Sequence, residues 1–194
     1  MMAQMQRAVT IWHLELTDPA RFQAMPKPSI EYDLIRAEIP VPELNRFLYA
    51  SVGADWCWYM RLGWTYAQWL EDLSRPEVST WIAYVRGTPA GYFELEVQPA
   101  DSVEIRYFGL LPRFIGMGIG GALLSDAVRT AWTLGARRVW LHTCSLDHPA
   151  ALGNYQARGF RLFDTEVKLE ELPDHRLEPW AGAYPERSAT PALR

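Results

Sequence analysis

The chain has 194 residues, 49% hydrophobic and 22% charged, which is enough length for one domain with a sizeable core and shows no compositional bias toward disorder. A net charge of −4 and a pI near 5.6 argue against a general binder of nucleic-acid backbones, which carries a basic face or run. The opening MMAQMQRAVTIWHLEL lacks the apolar core of an export signal and no run is long enough to span a bilayer, so a soluble, cytoplasmic protein without a membrane partner is expected.

VTIWHLEL alternates as a strand, DPARFQAMPKPS with its three prolines reads as a loop, and YDLIRAEI is a second strand. Residues 1–38 are thus expected to be an N-terminal strand extension of the same domain, an added or edge strand. PVPELNRFLYASVG places Leu44, Phe47 and Leu48 at helical spacing, with Pro42 in the first turn and Gly53 past the end. Thr65 and Gln68 have the spacing of a capping box, after which Tyr66, Trp69, Leu70 and Leu73 make one apolar face.

From Ser79 the pattern changes to strands. STWIAYVRG, AGYFELEVQ and SVEIRYFGLL form an antiparallel meander that turns at Gly87-Thr88-Pro89 and around Pro99 to Asp101. The next helix carries Ile119, Leu123, Ala127 and Ala131 at four-residue spacing and stops at Gly135. The strand RRVWLHT, a short helix, and two short strands near FRLFDTE and VKLEEL complete a core spanning 39–172. Residues 173–194, with Pro173, Pro179, Pro185 and Pro191, read as a proline-rich arm.

Between the meander and the long helix lies LLPRFIGMGIGGALL, a strand end, a glycine loop and a helix start in immediate succession. Gly116, Gly118, Gly120 and Gly121 remove the Cβ atoms that would keep a phosphate off the backbone, and the helix dipole adds positive potential. Gly116, Gly118 and Gly121 also satisfy the dinucleotide pattern G-x-G-x-x-G, but its context is missing. Pro112 to Ile115 separate the strand from the first glycine, and RRVWLHT ends in His142 and Thr143 where an acid is needed.

The window Ile115-Gly116-Met117-Gly118-Ile119-Gly120 resembles the acetyl-CoA loop of the Gcn5-related N-acetyltransferase family, with Ile115 standing where that family usually has Arg or Gln. Further on, DHPAALGNYQARGF resembles the family's second cofactor motif, a short helix ending in Tyr, three residues, then Gly-Phe; Tyr155, Gly159 and Phe160 match. His148 stands where the family commonly has Asn. The resemblance covers roughly residues 80 to 165. It implies a single α/β domain of the N-acetyltransferase fold, a mixed, mostly antiparallel twisted sheet with helices on both faces. Acetyl-CoA would lie in the splay between two central strands, held by Leu110, Leu111, Ile115 to Gly120, His148 and Tyr155, with the Ile115 backbone N–H still available and Arg113 a substitute for the missing side chain.

The function implied is direct transfer of an acetyl group from acetyl-CoA to a primary amine. Tyr155 is the expected acid for the departing thiolate, a phenol whose ordinary pKa is near 10. Glu104 is the expected base, on a central strand where burial would raise its pKa; the plainer reading is a strand glutamate paired with Arg106 or Arg86. Glu94, Glu96 and His142 stand behind it. A backbone N–H near Leu110 would meet the thioester oxygen. His142, alternating with Trp140 and Cys144, faces the cleft or fills the core.

DWCWYMRLGWTYAQW concentrates six aromatic side chains. The resemblance places this region at the acceptor side, so Trp56 and Trp58 are candidate substrate contacts with Asp55 supplying charge, while Trp64 and Trp69 belong to the core. The histidines at 13, 142, 148 and 175 lack metal-ligand spacing, and Cys57 and Cys144 lie far apart without a zinc or disulfide pattern. No metal is expected. The acceptor is a small-molecule amine or a peptide N-terminus. A homodimer through the N-terminal strand or the tail is left open, as is a non-catalytic acyl-CoA binding or sensing protein on the same fold.

Overall fold

A computed structural model describes residues 4–26 and 28–173. Its strands are β1 (Gln4–Leu16), β2 (Asp33–Ala37), β3 (Val78–Val85), β4 (Thr88–Gln98), β5 (Ser102–Leu110), β6 (Arg138–Cys144) and β7 (Arg161–Pro173). The helices are α1 (Pro42–Gly53), α2 (Tyr66–Leu73), α3 (Ile119–Thr133) and α4 (Ala151–Ala157). The strands form one sheet in the order β2-β3-β4-β5-β6-β1-β7, antiparallel throughout except where β5 meets β6.

The meander forms as its alternation predicts, with one change of turn. Arg86 (φ 49°) and Gly87 (φ 79°) are both left-handed and make a two-residue hairpin, so Thr88 and Pro89 open β4 instead of lying in the turn. Ala100 and Asp101 take the same left-handed region between β4 and β5. The capping box is present: the Thr65 hydroxyl accepts from the Gln68 N–H and the Gln68 side chain accepts from the Thr65 N–H. Gly135 (φ 92°) ends α3 as expected.

Three expectations are corrected. β1 is no edge strand: it lies between β6, which pairs with Ile11 to Leu16, and β7, which pairs with Gln4 to Glu15, antiparallel to both. The two short strands expected after Gly159 are one thirteen-residue strand, β7, which follows β1 with a register shift at His13/Leu14. Finally, Phe47 and Tyr66 point to solvent; the large side chains buried are Leu48, Tyr49 and Val52 on α1 and Trp69 on α2. The proline-rich arm lies, beyond Pro173, outside the described residues.

Helices cover both faces of the sheet. Ile119, Leu123, Ala127 and Ala131 of α3 are fully buried against Leu14, Phe93, Leu95 and Val139, while α1 packs Leu48 and Val52 on Ile82 and Tyr92 of the opposite face. Removing this much apolar surface from water is the main stabilising term. None of the described helices is long and apolar enough to cross a membrane.

Candidate active site

The parallel pairing of β5 and β6 spans only Ser102 to Glu104 and Arg138 to Trp140. Beyond that point the strands part. The resulting V opens into a cavity of about 580 Å³ walled by Ile105 to Leu110 of β5 and by His142 and Cys144 of β6. Leu111 N–H donates to Ala90 O at 2.9 Å, so strand alternation turns the N–H of Leu110, and of Phe108 before it, into the gap.

The glycine loop closes one end. Gly116 (φ +83°) and Gly120 lie on the wall, and a Cβ on Gly116 would meet nothing within 4 Å, so the backbone there faces open space. Gly118 (φ +78°) is the N-cap of α3, whose first-turn N–H groups receive no side-chain cap. The Ile115 N–H, expected to face the ligand, instead donates to Pro112 O at 3.3 Å. Arg113 is not on the wall. A cation does stand at this end: the Arg158 guanidinium packs where a Cβ of Gly121 would be, with Met25 Sδ accepting from Nη1 at 3.1 Å.

At the closed tip of the V, Glu104 Oε1 lies 3.7 Å from His142 Nδ1. Gln98 Nε2 donates to the other Glu104 oxygen at 2.9 Å, and Trp140 Nε1 donates to Gln98 Oε1 at 2.9 Å. Glu104 is therefore fixed behind His142, whose side chain is half exposed and lines the cavity. This orientation leaves Nε2 of His142 for the cavity. Glu104 does not pair with Arg106, which binds Asp72, Glu94 and Glu96 instead. Glu94 is buried between Arg61 and Arg106, burial pushing its carboxyl pKa up against the pull of both guanidiniums, and it does not reach the cavity.

Tyr155, at the end of α4, is 7% exposed and lies on the cavity wall. Burial drives its pKa up, and Asp147 and Cys144 push in the same direction, so the phenol keeps its proton. Asp147 itself is occupied by the Thr143 hydroxyl (2.6 Å) and the Cys144 N–H (3.0 Å).

The segment between α1 and α2 covers the V. Trp56 stands edge-on to His148 with ring centroids 5.1 Å apart, joining the expected acceptor side to the expected cofactor side. Trp58 packs between Tyr49 and Tyr107 over Gly53, where a Cβ would lie 2.3 Å from the Trp58 Cβ. The segment is pinned by Arg61, buried at 2% exposure between the rings of Trp64 (4.5 Å) and Trp69 (4.4 Å) and bonded to Asp72 and Glu94. Cys57 and Cys144, distant in sequence, both line the cavity; burial raises both thiols, Cys144 to about 11. Among the described residues, no group of His, Cys, Asp and Glu could hold a metal ion.

Of the candidate residues, Leu110, Ile115, Gly116, Gly120, His148, Tyr155, Trp56, Trp58 and His142 share this wall, with Glu104 behind it. Leu111 and Met117 pack on the core, Ile119 is inside it and Gly118 serves as a cap. Sequence reasoning missed Val9 and Ile11 of β1 and Lys168, Glu170 and Leu172 of β7, since no local pattern reveals which strands line a gap. Asn154, also on the wall, sits one position before the motif tyrosine and could have been read there.

A family model described as the acetyltransferase (GNAT) family matches residues 42–160. Among solved structures the chain is similar to a GCN5-related N-acetyltransferase from Sphaerobacter thermophilus (20% identity, TM-score 0.61, 87% of this chain and 53% of that one). It is also similar to one from Kribbella flavida (17%, 0.58, 90% and 61%) and to an acetyltransferase from Bacillus subtilis in complex with CoA (20%, 0.54, 69% and 79%). Identities this low show a shared fold, and the chain spans 53% and 61% of the first two. No curated protein matches it.

Proposed function

Because the chain belongs to the acetyltransferase (GNAT) family, we propose that it moves an acetyl group from acetyl-CoA to a primary amine by direct transfer, with both substrates bound together. The observation that carries this reading is the V between β5 and β6, which has the glycine loop and the α3 N-terminus at one end and the Glu104–His142 pair at its tip. The residues present fit acetyl-CoA: Gly116 leaves open space where a side chain would intrude, and the start of α3 carries no side-chain cap. Gly116, Gly120 and the α3 N-terminus would hold the phosphates, with Arg158 near. Phe108 and Leu110 N–H, Asn154 and His148 would hold the arm. The relative from Bacillus subtilis, described in complex with CoA, supports the same assignment.

Acetyl-CoA supplies an activated thioester. The chain supplies the proton handling. His142 takes a proton from the ammonium at Nε2, and the Glu104 carboxylate at Nδ1 stabilises the imidazolium that results. The Leu110 N–H, already aimed into the gap, donates to the carbonyl oxygen as its charge grows. As the C–N bond forms and the C–S bond breaks, Tyr155 gives its proton to the leaving sulfur and its phenolate takes the second proton that the nitrogen loses on becoming an amide. Its raised pKa keeps the phenol intact over the working range, so the donor is always loaded.

Initial velocities with both substrates varied test direct transfer. Intersecting double-reciprocal lines are expected; parallel lines would indicate an acetylated enzyme and overturn the ternary complex.

A further inference from the structure

Past His142, toward the open end of the V, the cavity wall changes character. On one side stand Trp56, Trp58 and Met60 of the pinned segment, and on the other Val9, Ile11 and Leu172 of β1 and β7. The cations on the wall itself are engaged, and Arg7 of β1, exposed and near enough to act on Cys57, is not among the wall residues. Arg106 is bound to three carboxylates, and Lys168 Nζ lies 2.9 Å from Glu166. Glu170, the carboxylate at the rim, accepts from the Tyr59 hydroxyl at 3.1 Å, and Asp147 is held by two donors.

This arrangement selects against most amines. An acceptor carboxylate or phosphate would enter past Glu170 and find, among the described wall residues, only guanidinium and ammonium groups already paired. A sugar would bury hydroxyls against Val9, Ile11 and Leu172 with no partner, a desolvation penalty for each group left unsatisfied. A hydrocarbon or aryl body loses nothing on entering and gains the burial of its surface, while aromatic faces and acidic groups favour the ammonium before it is deprotonated. Trp58 and Arg61 hold the wall in place before anything binds, so little of that gain is spent on ordering the protein.

We propose that the acceptor is a primary amine with an uncharged alkyl or aryl body, lacking carboxylate, phosphate or a run of hydroxyls. This rests on the acetyl-transfer reading above. Val9 and Ile11 make the N-terminal strand part of the acceptor site.

Release of CoA from acetyl-CoA by the full chain should be followed with butylamine, hexylamine, 2-phenylethylamine, L-phenylalanine, glucosamine and a lysine-containing tripeptide. Each added methylene should raise kcat/KM by about fourfold until the slot is full, the value of one buried CH₂. 2-Phenylethylamine should exceed L-phenylalanine, its carboxylated counterpart, by tenfold or more. A flat chain-length series, or a preference for glucosamine or the peptide, would overturn the apolar-amine assignment while leaving acetyl transfer standing. Calorimetric binding of acetyl-CoA with no release for any amine would overturn transfer itself, and this inference with it.

Discussion

Glu104 and His142 face each other at 3.7 Å at the point where β5 and β6 cease to pair. Adjacent parallel strands bring the two side chains together, and divergence one residue later gives His142 a cavity to address. A carboxylate that would otherwise be a surface strand residue thus stands behind a histidine that lines the cavity.

Replacing His142 with Gln should lower kcat/KM for the amine by about 10²-fold or more, the usual worth of a positioned base. Glu104→Gln should cost less, about tenfold, because the imidazole remains. Acetyl-CoA affinity by calorimetry should hold in both. Wild-type rates in His142→Gln would place the base elsewhere.

Two glycines with the same backbone conformation separate strain from ligand contact. Gly116 (φ +83°) and Gly135 (φ +92°) both have open space around a Cβ, but only Gly116 lines the cavity. Alanine at either should cost about 1–2 kcal/mol of stability through the left-handed backbone. Only Gly116→Ala should also weaken CoA binding, by tenfold or more. Equal CoA affinity in both variants would argue against the cradle.

Arg61→Ala removes the cation between Asp72 and Glu94 and opens a space between two tryptophans. Breaking a buried ion pair from one side costs about 3–5 kcal/mol, readable as a drop in urea midpoint. Arg61→Lys keeps the charge without the planar stack, so it should fold while raising the amine KM, with CoA affinity unchanged. An unaltered amine KM in that variant would show that the segment is not held by Arg61.

Alkaline pH should destabilise the fold. Burial raises the phenol pKa of Tyr49, Tyr92 and Tyr155, so above about pH 10 the unfolded chain ionises them and the folded chain does not. The folded state then binds more protons, and stability falls as pH rises, by about 1.4 kcal/mol per unit for each tyrosine. Urea midpoints at pH 8 and pH 11 should differ accordingly. Equal midpoints would mean these rings are accessible.

Features set by near neighbours were legible in the chain. The Thr65–Gln68 cap, the four-residue spacing of Ile119 to Ala131 and the Tyr155-Gly159-Phe160 ending each follow from contacts within a few residues. What depended on register and long-range pairing was not. Nothing in VTIWHLEL states that β1 inserts between β6 and β7, yet that insertion brings Val9 and Ile11 to the cavity. Glu104 has Arg106 as its near neighbour in sequence, but the extra residue in β5 where Glu94 pairs with Tyr107 and Leu95 with Ile105 is Arg106 itself, and Asp72, Glu94 and Glu96 capture it. Arg61 gave no signal at all, being an arginine in a loop until four aromatic rings and two acids close around it.

The most direct measurement of the central claim is release of CoA thiol from acetyl-CoA with and without a primary amine, comparing wild type with Tyr155→Phe. Amine-dependent release in wild type that falls at least tenfold in Tyr155→Phe, with acetyl-CoA still bound, is the predicted result. Binding without amine-dependent release in wild type would contradict it and leave an acyl-CoA binding protein on an acetyltransferase fold.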